Sequence, residues 1–179
     1  MVKKENEALA LAKWSLDFNV KGLKDIPKPE FTDPYLTKKA GVFVTLKKNG
    51  MLRGCIGIIQ PIDILAENII TSARNSALSD WRFPNVTSEE VDELEVEISV
   101  LSVPEESKLE DIEIGKHGVI VEGAGKSAIY LPQVATEQGW NFGQWLDSIC
   151  DKAGLIPRFW LDAEAKFKTF TAQIINEKK

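Results

Sequence analysis

The sequence predicts an α+β fold: a mainly antiparallel sheet with flanking helices. Three observations carry this. Asn49-Gly50 and Gly123-Ala124-Gly125 each separate two apolar runs and read as hairpin turns. Leu94, Val96, Ile98 and Val100 alternate with Glu93, Glu95, Glu97 and Ser99, the period of a strand. Between these stretches lie segments whose apolar residues recur every three to four positions, the period of a helix.

Taken in order, Glu5 to Phe18 carries Leu9, Ala12 and Leu16 at helical spacing, with Ala8, Leu11 and Ser15 beside them. Residues 19 to 40 hold Gly22, Pro27, Pro29 and Pro34 with few periodic apolars, so an irregular wrapping connection is expected. Val42–Lys48 and Met51–Ile59 are the arms of the first hairpin, because both residues of Asn49-Gly50 tolerate positive φ. Pro61 ends the second arm. Asp63 is placed to cap a helix running through Leu65, Ile69, Ile70, Ala73 and Ala77 to about Leu78. The strand around Leu94–Val100 is expected to have one buried face and one acidic face in water, and Pro104 to end it. Gly118–Glu122 and Ser127–Leu131 form a second hairpin. Pro132 opens a helical region, and Phe142–Ala153 places Trp145, Leu146, Ile149 and Ala153 on one side, with Gly154 as C-cap. Phe167 to Ile174 alternates and reads as a single closing strand.

At 179 residues the chain suits one domain, or a domain with a small lobe, and can bury a substantial core. With 44% hydrophobic and 27% charged residues and no long apolar run, it reads as a soluble rather than a membrane protein. The first residues have no apolar stretch of the secretory type, and two distant cysteines make no disulfide framework; a reducing cytoplasm is expected. The net charge of −5 argues against wholesale nucleic-acid binding, leaving Lys47, Lys48, Lys166 and Lys168 as the only local basic candidates. No metal is expected from one histidine and two separated cysteines, and no cofactor from Gly125-Lys126-Ser127, which lacks phosphate-loop spacing. The apolar stripes do not divide between core and interface, so oligomeric state is left open.

The run Leu52-Arg53-Gly54-Cys55-Ile56-Gly57 is where chemistry is expected. Strict alternation would point Arg53, Cys55 and Gly57 to one face, setting a cation beside a thiol and favouring thiolate. Cys55 is then a candidate nucleophile and Arg53 its charge partner, with Gly54 and Gly57 allowing close approach of a ligand or of another backbone. The bland alternative is a small buried core cysteine. Cys150, on the apolar side of its helix, reads as core. His117 is the sole histidine, lies between Gly115 and Gly118, and is the candidate general base; otherwise it is a turn residue bonded to backbone. Asp80 and Arg82 offer either an ion pair, Asp80 joining Arg53 or Arg82, or an anion clamp built from Arg82 and Arg53. The aromatics Trp140, Phe142, Trp145, Phe159 and Trp160 read first as core.

Leu52–Gly57, with Gly41–Leu46, Asp80–Phe83, Ile114–Gly118, Leu131–Ala135 and Lys152–Leu155, resembles in order and spacing the AMMECR1 domain family, from about Lys4 onward. Trp81 stands where that family usually has proline. The resemblance implies a single domain over 1–179 with a larger and a smaller lobe, their boundary not assignable from the sequence. It also implies that the Arg53/Cys55 motif lies near a cleft between the lobes; the residues themselves, Cys55 with Arg53 and His117, suggest that a cytoplasmic enzyme would bind a small anionic or acyl substrate there. The alternative, which fits a sequence with no complete triad, metal quartet or cofactor loop, is a non-catalytic binding or adaptor module whose cleft recognises a partner protein or a metabolite; the resemblance suggests service to a Memo-like and radical SAM modification pathway or a basic information-processing role.

Overall fold

The structure is a computed structural model that describes residues 2–177. The chain divides into two compact units, one formed by residues up to Val103 together with those from Gln173 onward, the other by Pro104–Ala172. Each has its own antiparallel sheet and core, so the expected mixture of hairpins and helices resolves into two sheets rather than one.

In the larger unit, β1 (Val42–Lys48) pairs with β2 (Met51–Ile58) and β3 (Leu94–Leu101), and β8 (Ala172–Asn176) lies beyond β3, giving the order β2-β1-β3-β8. The turn between β1 and β2 has φ of 53° at Asn49 and 75° at Gly50, the geometry that this dipeptide favours. Helices α1 (Val2–Asn19) and α2 (Leu65–Leu78) pack against each other; α2 lies over β1 and β2, and α1 reaches β3. Their apolar stripes, with Leu11, Leu16, Ile69 and Ala73, meet Val42, Val44, Leu46, Val96 and Ile98 in one buried cluster. The expected cap of α2 differs in detail. Ile64 is the N-cap residue, and the Asp63 carboxylate accepts from the Ile64 N–H instead of from the first helical turn.

In the smaller unit, β4 (Glu105–Ser107), β7 (Lys166–Phe170), β5 (Gly118–Gly123) and β6 (Lys126–Tyr130) stand in that order. A short helix α3 (Val134–Glu137) precedes α4 (Phe142–Ala153), which packs on β5 and β6. Asn141 and Gln144 form a reciprocal capping box at its start, and Gly154 ends it with φ of 69°. Trp145, Leu146, Ile149 and Cys150 are wholly buried, which bears out the core reading of that helix face.

The single closing strand is corrected. β7 and β8 flank Thr171 and belong to different sheets, β7 lying between β4 and β5 and β8 beyond β3. The acidic face of β3 is corrected as well. Ser99 is fully buried, and Glu97 is largely covered and pairs with Lys47 at 3.1 Å.

Candidate functional site

The site is built on β2, an edge strand, and begins with a fault in its pairing. Lys48 faces Met51 and Lys47 faces Leu52, but Leu46 faces Gly54 and Thr45 faces Cys55, so Arg53 is an additional, unpaired residue. Such a bulge breaks strict alternation, which is why Arg53 and Cys55 do not act as neighbours on one face. Below it, α2 comes against the strand backbone. A Cβ on Gly54 would lie 2.1 Å from the Ser76 carbonyl oxygen. The Ser76 hydroxyl accepts from the Ile56 N–H at 2.8 Å and donates to the Val44 carbonyl at 2.7 Å. Ile56 and Val44 face each other in register, so the hydroxyl links the two strands from the helix side. At Gly57 the Phe43 ring occupies the place of a side chain, 2.3 Å from an ideal Cβ. The space beside both glycines is thus filled by the chain's own atoms.

Two arginine–carboxylate pairs fasten the outer edge of β2. Arg53 holds Glu90 by two hydrogen bonds, Nε to Oε1 at 3.1 Å and NH2 to Oε2 at 2.9 Å, and donates also to the carbonyls of Pro84 and Asn85. Its side chain is 13% exposed. Hydrogen bonds from Arg53 hold the Glu90 carboxyl down at about 2. Arg82 holds Asp80 in the same fork, Nε to Oδ1 at 2.9 Å and NH2 to Oδ2 at 2.7 Å. Asp80 also accepts from the N–H of Cys55 at 2.8 Å, while Arg82 donates to the Cys55 carbonyl at 3.2 Å, so the pair grips both backbone groups of that residue. The Arg82 hydrogen bonds, with the Cys55 N–H, bring the Asp80 carboxyl down to about 2.

The ion pair of Asp80 is therefore made with Arg82. The guanidinium whose charge acts on the thiol is also that of Arg82, not that of Arg53. The Arg82 side chain is 42% exposed, against 2% for that of Asp80.

On the face of the sheet opposite the helices, register places Cys55, Thr45 and Glu97 in one row across β2, β1 and β3. The Thr45 hydroxyl donates to Cys55 Sγ at 3.3 Å. Burial pushes the thiol up, against the opposing pull of the Thr45 hydrogen bond and of Arg82; the charges of Asp80 and Glu97 push it further up. The resting group is a neutral, half-buried thiol, neither the open thiolate nor the sealed core cysteine that the sequence allowed.

His117 belongs to the smaller unit, in the turn after Glu113. Its Nδ1 accepts from the Glu113 N–H at 3.1 Å, which leaves the proton on Nε2. Lys47, Lys48 and Lys168 are paired with carboxylates of Glu97, Glu90, Glu93 and Glu122, so they form no free basic patch. Among the described residues no cluster of three His, Cys, Asp or Glu side chains could hold a metal ion, and no helix is long and apolar enough to cross a membrane.

Thr45 and Glu90 were not singled out from the sequence. An unbroken two-residue hairpin would pair Thr45 with Gly54, and only the bulge moves it opposite Cys55. Glu90 carries no local sign of its partner 37 positions earlier.

The AMMECR1 family profile matches residues 9–175. The chain belongs to the AMMECR1 family. A protein of Methanothermobacter thermautotrophicus is 39% identical over 174 residues, covering 93% of this chain and 91% of that protein. Protein PH0010 of Pyrococcus horikoshii is 43% identical over 178 residues, covering 93% of this chain and 86% of the other. The crystal structure of the latter, described as uncharacterized, superposes with a TM-score of 0.86 at 42% identity, covering 93% of this chain and 88% of that one. This AMMECR1 member thus shares its mixed α/β fold with a solved relative.

Proposed function

We propose that the Cys55 region of the larger unit binds a small anionic or acyl substrate, with Arg82 anchoring its negative group and Cys55 reacting with it. The observation that carries this is the half-exposed Arg82, fixed by Asp80 onto the backbone of the one cysteine that is not fully buried. Fixing a guanidinium before the ligand arrives lowers the ordering cost of binding. Thr45, by donating to sulfur, stabilises negative charge there as the thiol ionises. Because the resting thiol is neutral, attack requires loss of its proton in step with bond formation. With an acyl phosphate, sulfur bonds to the acyl carbon, the phosphate leaves with the bonding electrons, and the thiol proton passes to phosphate. Arg53 buttresses the strand in this reading.

Incubating the pure protein with acetyl phosphate and following intact mass tests it. One acetyl adduct on Cys55, absent in Cys55→Ser and slowed in Arg82→Gln, is the expected result. No adduct on the wild-type protein, or equal labelling of Arg82→Gln, rejects the assignment.

A second reading rests on Trp81, which is 90% exposed beside Arg82. Exposed tryptophan next to arginine is the composition of an interface anchor, which favours a partner protein on this surface and the adaptor role that the family resemblance implied. Capture of a stoichiometric partner that Trp81→Ala loses, with no acyl adduct formed, would select this reading.

A further inference from the structure

A separate cavity in the larger unit, about 240 Å³ in volume, is lined by Lys38, Lys39, Gly41, Ile59, Pro61 and Val103 among others. It is smaller than the roughly 300–1,000 Å³ typical of sites for drug-sized ligands. Its only charged lining groups are the two lysines, and no carboxylate contributes to it, although the protein carries a net charge of −5. Among the described residues neither lysine has a carboxylate partner. The Lys38 ammonium rests 3.8 Å from the centre of the Tyr35 ring, with the Lys4 ammonium 4.1 Å from the same ring. Lys4 donates to Gln173 Oε1, as does the Tyr35 hydroxyl, so this cationic cluster too is held by neutral groups. Burial and the charge of Lys4 together lower the affinity of Lys38 for its proton, the mark of a cation without a counter-charge.

The wall between the two charged residues and the apolar side is fixed backbone. A Cβ on Gly41 would lie 2.4 Å from the Ile59 carbonyl oxygen, and the Leu101 N–H donates to the Gly41 carbonyl at 2.9 Å. Lys39 is tied by a bridge to Ile64. The remaining surface, from Ile59, Pro61, Leu101 and Val103, is largely aliphatic.

We propose that this cavity binds a small phosphomonoester, its dianionic phosphate on Lys38 and Lys39 and a short apolar body against Ile59, Pro61 and Val103. Two ammonium groups match a dianion, and lysine meets phosphate as a point charge on a flexible stem, so on binding the Lys38 ammonium leaves the Tyr35 ring and turns to the cavity that its residue lines. The apolar wall separates an ester from inorganic phosphate.

Isothermal titration of the whole protein at low ionic strength, with butyl phosphate and with inorganic phosphate as probes, tests the site. Butyl phosphate should bind more tightly than inorganic phosphate, and K38Q/K39Q should weaken it by about tenfold or more, as loss of two charge contacts requires. Both lysines are exposed, so the variant keeps its fold, checked by circular dichroism. Absence of butyl phosphate binding to the wild type, binding unchanged in K38Q/K39Q, or equal affinity for the two probes would overturn the proposal.

Discussion

The two ends of the motif on β2 use the same chemistry to different effect. At one end Arg53 forks onto Glu90, and at the other Arg82 forks onto Asp80, each drawing its carboxylate down to about 2. Arg53 spends its donors on Glu90 and on two loop carbonyls and is nearly covered. Arg82 spends its own on Asp80 and on the Cys55 carbonyl and stays half open beside a thiol. The difference comes from the bulge, which turns Arg53 to the loop of residues 84–90 and leaves Cys55 to the short reach of Asp80 and Arg82. A charged pair near a cysteine is therefore not one feature here but two, one covered at the strand edge and one half open at the thiol.

The largest effect should come from breaking what both ends share. Gly54→Ala puts a methyl group against the Ser76 carbonyl, and a cost of about 3 kcal/mol in denaturant unfolding is expected from overpacking against a helix backbone. A change near zero would show that α2 is free to move away. Arg53→Gln should come next, at about 2 kcal/mol, because it leaves Glu90 and two carbonyls short of donors. Its thiol reactivity should stay that of the wild type; a parallel loss of reactivity would merge the two ends into one.

Acid sharpens the comparison from the carboxylate side. Folding depresses both carboxyls, so their contribution is fully present above their ordinary values near 4 and is lost as pH falls toward about 2. Asp80, with its side chain 2% exposed, should account for about 2 kcal/mol of that loss. Asp80→Asn should flatten the stability profile between pH 4 and 2, and an unchanged slope there would contradict the pairing. The smallest effect should be that of Thr45→Val, which removes one hydrogen bond from sulfur and should raise the thiol a little further, read as slower alkylation at a fixed pH near 8.

Much of the scaffold was legible because its signals are local. Asn49-Gly50 announces the turn by its tolerance of positive φ, and Gly154 ends α4 for the same reason. The apolar stripe through Trp145, Leu146 and Ile149 marks the buried face of α4. The division at Thr171 was not legible, since no glycine or proline marks it between β7 and β8, which join different sheets. At the site, residue types were legible and partnerships were not. Asp80 and Arg82 stand two apart and their pairing was one of the two expected for Asp80, but their grip on Cys55 spans 25 or more residues. The pattern LRGCIG suggested Arg53 as the cation at the thiol because alternation assumes an unbroken strand, and Gly54, the local sign of a bulge, reads equally as room for close approach.

The most direct measurement is the pH dependence of iodoacetamide labelling at Cys55, by intact mass, in the wild type, Arg82→Gln and Arg53→Gln, each with Cys150→Ser to remove the second thiol. In the wild type, labelling should rise only above the range of an ordinary thiol. Arg82→Gln should move that rise to still higher pH, while Arg53→Gln should leave it in place and lower stability instead. A wild-type thiol already ionised at neutral pH, or a shift in Arg53→Gln equal to that in Arg82→Gln, would contradict the division of β2 between a covered arginine and one that acts on the thiol.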